Sequence, residues 1–362
     1  MVTLRDIAEK VGVSACAVSH AVNGTGRLSP KTRERIFSTI RELGYRKNYT
    51  ARALRNGQSR TIGLVVPVLR GNLTELMSKL DLCFRKCDYT LITSFFERGN
   101  QFQFSFEKTI ERMYSLNVDA VITPTYLNVP KSDIPVIIWG NECNDYDCVY
   151  PDKYAFGEEV IERLWALGHR FIGLAGLGIP GKVQPPYQTE KRYLGMQAAL
   201  EARNAFDPGL TLNVHSELSE GPMVVDYFLS LPRVPTVIVC HSYELAVGVI
   251  RAATLRGIRI PDQLSVIGFD YLPLIGEMSP SLATYDQHLS TMARLLVDVT
   301  LNRIGNPDLP RQKRPVTVDF VEGESLAAPR RTRKISFENT PVHRDSALSV
   351  RHSKSQLEGE IP

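Results

Sequence analysis

Residues 3–24 read Thr3-Leu-Arg-Asp-Ile-Ala-Glu-Lys-Val-Gly-Val-Ser-Ala-Cys-Ala-Val-Ser-His-Ala-Val-Asn-Gly24. Thr3 is a helix cap, and Leu4, Ile7, Ala8 and Val11 follow at helical spacing, with Asp6 placed to meet the positive end of the helix. Gly12 stops that helix, because glycine enters the left-handed conformation without a Cβ clash. Ser14 caps a second helix through about Val22. At about 100° per residue, Ala17, Val18, Ala21 and Val22 share one arc, and Ala15, Cys16, Ser19 and His20 the opposite one. One face packs and the other is free to touch a partner. Ser29-Pro30 opens a third helix, with Ile36, Ile40 and Leu43 on its apolar side and a stop at Gly44. Helix, glycine turn, outward-facing second helix and bracing third helix make a helix-turn-helix head.

The charge distribution agrees with that layout. The 362-residue chain carries a formal net charge of +4, yet its first sixty residues hold twelve Lys/Arg against four Asp/Glu, which leaves the remainder net acidic. A basic head on a mildly acidic body suits a polyanion-binding module attached to something else. Hydrophobic residues at 43% and charged residues at 23% are ordinary for globular domains. No apolar run approaches the roughly 18 residues that cross a bilayer, and the N-terminus lacks a basic-then-apolar leader, so neither export nor membrane insertion is expected. Six cysteines without a Cys-x-x-Cys pair point to reduced thiols, and no metal site is expected.

From Arg60 onward, apolar runs alternate with amphipathic stretches. Strands are expected at Thr61–Pro67, Tyr89–Ser94, Ala120–Thr123, Val136–Trp139, Phe171–Ala175, Thr236–Cys240 and Leu264–Phe269. Continuous Val/Ile/Leu runs belong to parallel strands covered on both faces by crossover helices. Two such units fit residues 61–158 and 159–286, with 287–322 returning to complete both. Gly176-Leu-Gly178-Ile-Pro-Gly181 matches the dinucleotide-binding G-x-G-x-x-G, but Pro185-Pro186 bar the helix whose N-terminus would hold the pyrophosphate. No cofactor is expected, and nothing in the chain recommends catalysis. Beyond Glu324 the chain has little apolar periodicity, and Pro329-Arg-Arg-Thr-Arg-Lys334 opens an extension expected to be disordered, with a weak attraction for DNA.

The run from Thr3 to Ser14, Val18-Ser19-His20, Val22-Asn23-Gly24, Ser29-Pro-Lys-Thr-Arg-Glu-Arg-Ile and Leu43-Gly-Tyr together resemble the N-terminal signature of LacI/GalR transcriptional regulators. Leu167-Gly-His-Arg, Ile260-Pro-Asp-Gln-Leu-Ser-Val-Ile-Gly-Phe-Asp270 and Pro280-Ser-Leu-Ala-Thr extend the resemblance over about residues 2–325. It implies an all-α helix-turn-helix head joined by a hinge helix to an α/β two-lobe core of parallel sheets, similar to periplasmic binding proteins. The expected divisions are a DNA-binding domain at 1–47, hinge helix and linker at 48–59, an effector-binding and dimerisation core at 60–325, and the tail at 326–362.

In that family the second helix enters the major groove, so Ala15, Cys16 and His20 would face base edges. Ser14, Ser19, Thr25 and the Lys31/Arg33/Arg35 cluster would meet phosphates, which fix register without reading sequence. Asn48, Ala51, Arg52, Leu54 and Arg55 resemble the hinge helix, with Leu54 as a wedge in the minor groove; Lys47 replaces the family's proline. Arg192 and Asp270 match effector-binding positions in the cleft between the lobes, and Asp152 matches a third. Ser242 and Tyr243 replace an Asn-Asp pair, and Gly140 replaces an acid, so an ordinary hexose site is in question.

The implied protein is a cytoplasmic, non-enzymatic regulator, a homodimer on a roughly palindromic double-stranded operator, modulated by a sugar-like small molecule. The alternatives are the same regulator without a working effector pocket, or a stand-alone solute-binding protein. The wedge assignment predicts that Leu54→Ala weakens binding to a specific operator far more than to random duplex in a mobility-shift titration. Equal losses on both would remove it.

Overall fold

In the computed structural model, residues 2–45, 58–67, 72–96, 102–124, 129–176 and 191–330 are described. Asn48, Ala51, Arg52, Leu54 and Arg55, the glycine stretch beyond Gly176, and the tail from residue 331 lie outside them.

The head contains α1 (Leu4–Val11), α2 (Ala15–Asn23) and α3 (Pro30–Leu43). Each starts on the cap read from sequence. Asp6 N donates to Thr3 Oγ1 (3.3 Å) while Thr3 N donates to Asp6 Oδ2 (2.8 Å), a reciprocal capping box. The Thr3 backbone bond holds the Asp6 carboxyl below its ordinary range. Ser14 accepts from Ala17 N (3.1 Å) and Ser29 from Thr32 N (3.1 Å). Gly12, Gly24 and Gly44 close the three helices in the left-handed region. Ile7, Ala8, Val11, Val18, Ala21 and Ile36 form the core of the head. Arg35 Nη2 donates to the Val11 carbonyl (2.7 Å), so this exposed arginine also seals the end of α1.

Beyond the head the chain forms two units, and each is built on its own parallel sheet. The first contains β1 (Thr61–Pro67), α4 (Asn72–Lys86), β2 (Thr90–Phe96), α5 (Phe102–Ser115), β3 (Ala120–Thr123), β4 (Val136–Trp139) and β5 (Asp147–Pro151). It also takes α11 (Leu289–Gly305) and β11 (Lys313–Val316) from the returning chain. Strand order is β11-β5-β4-β3-β1-β2, with Thr61 opposite Thr90 and Ile62 opposite Ala120. Side chains alternate across this sheet as the pleat requires. Ile62, Leu64 and Val66 join Leu76, Leu80 and Phe84 of α4 and Met292, Leu296 and Val299 of α11 on one face. Val65, Val121 and Ile138 join Phe106, Ile110 and Met113 of α5 on the other.

The second unit runs 158–269, 273–284 and from 322 to the last described residue, 330. Its sheet, β7-β6-β8-β9, uses β6 (Ile172–Ala175), β7 (Thr211–Leu212), β8 (Val237–Cys240) and β9 (Ser265–Ile267), all parallel. Its helices are α6 (Lys153–Ala166, entering from the first unit), α7 (Lys191–Glu201), α8 (Gly221–Ser230), α9 (Tyr243–Leu255) and α10 (Pro273–Gly276). β10 (Thr284–Asp286) and β12 (Asp319–Val321) pair as a short ribbon.

Sequence expectation and structure part at two strands. β5 is Asp-Cys-Val-Tyr-Pro, opened by a buried Asp147, and β11 is Lys-Arg-Pro-Val with three of its four side chains exposed, so neither reads as a continuous Val/Ile/Leu run. Pro315 is tolerated there because β11 is an edge strand. Residues 326–330, assigned from sequence to the tail, are fastened to the second unit. His169 Nε2 donates to Ala327 O (2.9 Å), and Ser265 Oγ reaches the same carbonyl (3.2 Å). Arg330 Nη2 pairs with Asp262 (2.9 Å).

Two buried polar contacts hold these units. Asp147 and Arg303 pair through Nε–Oδ2 (2.7 Å) and Nη2–Oδ1 (2.9 Å), with side chains only 1% and 5% exposed. Arg303 also donates to the carbonyls of Pro307, Leu309 and Pro310, so all five of its N–H groups are used. Asp147→Asn or Arg303→Met is expected to cost about 3–5 kcal/mol in urea denaturation, with the double variant losing less than the sum.

His169 is fully buried, and burial pushes its imidazole below the ordinary value, so the fold holds it neutral. The unfolded chain takes up its proton at about pH 6.5, so this site destabilises the fold as pH falls below that value. Between pH 7 and pH 5 the urea midpoint is expected to drop further in the wild type than in His169→Gln. Parallel curves would contradict the assignment.

Candidate nucleic-acid interface and effector residues

α2 places its side chains by the geometry of a capped helix resting on α1 and α3. Val18 and Ala21 are buried in the head, and Cys16 and His20 stand exposed. Ser19 is half-buried. Ala15, expected on the free face, is half-buried and packs against the head's core, because the first turn of α2 abuts the neighbouring helices. Ser14 is exposed; its Oγ accepts from Ala17 N as the cap, which leaves the hydroxyl hydrogen to donate outward. Lys31 and Arg33 are exposed on the first turn of α3. Thr25 is exposed, and its Oγ1 lies 3.0 Å from His20 Nδ1.

The linker from head to core ends on an anchor that sequence reasoning missed. Ser59 N and Oγ donate to Asp119 Oδ1 (2.7 and 2.9 Å), and Arg60 N donates to Asp119 Oδ2 (2.9 Å). Arg60 is itself left-handed (φ 55°), with its guanidinium 4.9 Å from the Tyr89 ring centroid. Asp119 stands one residue before β3 and carries no local signal for this role.

The effector candidates fall in different units. In the second, Arg192 of α7 is buried, with its guanidinium 3.9 Å from the Phe269 ring centroid. Its Nη2 lies 2.8 Å from His241 Nδ1 and 3.3 Å from the His241 carbonyl. A guanidinium only donates, so the imidazole nitrogen facing it accepts. His241 and Phe269 are the residues the sequence did not single out, since both stand far along the chain from Arg192. Ser242 caps α9 by accepting from Leu245 N (3.2 Å) and donates to Ser216 O (3.2 Å). Tyr243 follows, half-buried in the first turn.

In the first unit, Asp270 is left-handed (φ 70°) and accepts from Gln287 Nε2. Asp152 is exposed and caps α6 through Ala155 N (3.1 Å). Next to it, Lys153 Nζ donates to Asn141 Oδ1 (3.0 Å), and Asn141 in turn donates to the Pro124 carbonyl (3.0 Å). Among the described residues, no group of three or more His, Cys, Asp and Glu side chains is placed to hold a metal ion. All six cysteines are free thiols.

Residues 3–48 match the model of bacterial regulatory proteins of the lacI family, and residues 161–326 match a periplasmic binding protein-like domain. The chain joins a lacI-family head to a periplasmic binding protein-like domain. It is similar to the ribose operon repressor of Haemophilus influenzae, at 28% identity over 85% of this chain and 93% of that protein. It is also similar to the transcriptional repressor PurR of Klebsiella pneumoniae, at 28% identity over 90% of this chain and 97% of the relative. A lac repressor dimer bound to operator and an anti-inducer superposes with a TM-score of 0.73 at 23% identity, over 90% of this chain and 99% of that one. A ribose-bound LacI-family regulator of Enterococcus faecium gives 0.64 at 21% identity, over 75% and 100%. The head is thus the DNA-binding domain of a LacI-family transcriptional regulator, and the α/β body is its periplasmic-binding-protein-like core. The relatives are transcriptional repressors. No helix among the described residues is long and apolar enough to cross a membrane.

Proposed function

We propose that this regulator works in the cytoplasm as a homodimeric repressor on a roughly palindromic operator, with a sugar or related metabolite bound in its core as effector. The observation that carries this is the outward face of α2, where Cys16 and His20 are exposed on a packed head that also exposes Ser14, Thr25, Lys31 and Arg33. Small and polar side chains at the centre read base edges; hydroxyls and cations around them hold the backbone. Cys16 and His20 are the principal base readers in this proposal, with Ala15 contributing apolar contact from its exposed edge. Ser14, Ser19, Thr25, Lys31 and Arg33 serve the phosphates, and Asn48, Ala51, Arg52, Leu54 and Arg55 the hinge. The core from residue 60 supplies Arg192, Ser242, Tyr243, Asp152 and Asp270 for the effector.

A second version, in which the core has no working effector, is favoured by one set of observations. Arg192, Ser242 and Asp270 are already engaged by His241, Leu245 and Gln287.

Selection of bound duplexes from a random pool, with and without a panel of sugars, tests both versions. A two-fold symmetric consensus is expected, and a sugar that changes its occupancy is expected to lose that effect in Arg192→Ala. The absence of any symmetric consensus overturns the operator proposal. An unchanged dose–response in Arg192→Ala removes its effector role.

A further inference from the structure

The turn after α2 does more than end the helix. His20 Nδ1 lies 3.0 Å from Thr25 Oγ1, which returns from the far side of Gly24. Beneath the ring is Gly26, left-handed at φ 75°. A Cβ at that position would stand 2.9 Å from His20 Cγ, closer than real contacts allow, and a tight 3.1 Å from Nδ1. Only glycine leaves room for the imidazole to lie against the turn with Nδ1 on the threonine. Nε2 makes no hydrogen bond among the described residues, and the side chain is exposed.

A neutral imidazole carries one donor and one acceptor, and the partner of one nitrogen decides the role of the other. The threonine hydroxyl has a single hydrogen. If it donates that hydrogen to Nδ1, then Nε2 carries the ring proton and presents a donor. If the hydroxyl sends its hydrogen elsewhere, it accepts from Nδ1–H, and Nε2 presents a lone pair. A phosphate oxygen is acceptor only, so a Thr25–phosphate contact selects the second arrangement. The proton order is then phosphate ← Thr25 O–H ← His20 Nδ1–H, with Nε2 accepting from the base.

We propose that Thr25 is the positioning residue for His20, and that His20 Nε2 therefore reads an exocyclic amine in the major groove, adenine N6 or cytosine N4. This rests on the proposed DNA-facing role of α2 and names what its histidine recognises. Thr25 sets the sequence preference at one base pair per half-site without touching a base.

The test uses the full chain and a duplex from the selection above. Each adenine and cytosine is replaced in turn by the purine or pyrimidinone analogue that lacks the exocyclic amine. One position per half-site is expected at which amine removal weakens the wild type about three- to tenfold. At that position His20→Ala is expected to be indifferent to the amine. Thr25→Val, which keeps the shape and removes the hydroxyl, is expected to lose the penalty; Thr25→Ser is expected to retain it.

A Thr25→Val variant that binds more weakly on every duplex yet keeps the full amine penalty overturns the positioning role, leaving Thr25 a phosphate contact alone. A wild-type penalty at the His20-dependent position that follows removal of an acceptor, as with 7-deazaguanine, overturns the proton order. So does the lack of any His20-dependent amine position. Failure of the wild type to prefer any duplex counts against the DNA-facing role of α2, so the two failures are distinguishable.

Discussion

A carboxylate and a guanidinium separated by 156 positions hold the closing edge of the first unit's sheet. Taking either charge out of water alone costs several kcal/mol, so the pair is tolerable only when every remaining donor and acceptor is met. That condition fixes much around it. Arg303 reaches three carbonyls of the chain that turns from α11 toward β11, and Asp147 accepts from Gln312 N (2.7 Å) at the entry to that strand. β11 is thereby laid beside β5 in register, with Lys313 opposite Cys148. The same arginine sets the azimuth of α11, whose Met292, Leu296 and Val299 cover the sheet together with α4. A six-stranded parallel sheet assembled from two distant stretches of chain needs a contact that only the correct assembly completes. The ion pair is that contact.

The head solves the opposite problem. It has six buried core residues and too little chain for a large apolar core. Its stability is concentrated at helix ends: three side-chain N-caps, three glycine C-caps, and Arg35 on the last turn of α1. Because the ends and one face of each helix do this, the outer face of α2 is relieved of any packing duty beyond Ala15. Side chains there are free to be chosen for what they recognise. The Cys16 and His20 pair gives the face short reach, so the orientation of the imidazole matters more than it would beside a long glutamine or arginine.

Features that depend on neighbours in sequence were legible before the structure. Thr3, Ser14 and Ser29 cap because the groups they satisfy lie three residues on. Strands buried on both faces announce themselves as apolar runs, and the passage between units fell within a residue or so of the expected 158–159. What escaped was set by distant contacts. β5, β11 and β12 are short, each opens on a charged residue, and they owe their places to partners elsewhere in the chain. Ala15 was misplaced because a helical wheel treats α2 as isolated. Asp119 and His241 gave no signal, since each acquires its role from a residue about fifty or more positions away.

The polar groups offered to an effector are already bonded within the protein, and this shapes what binding can do. A ligand that takes a hydrogen bond from Arg192 takes it from His241, and one that takes Asp270 competes with Gln287. Ser242 cannot be recruited without uncapping α9. Such exchanges yield little net energy from the bond itself. The affinity available is the difference between two bonded arrangements, which is also the quantity that shifts a conformational equilibrium. At the other end of the first unit, three hydrogen bonds to Asp119 fasten Ser59 and Arg60 to the start of β3. A displacement of that strand is passed to the linker without slack. An exchange of partners at the effector residues that moves β3 therefore reaches the linker to the head directly, whereas one that leaves it in place has no rigid route through this anchor.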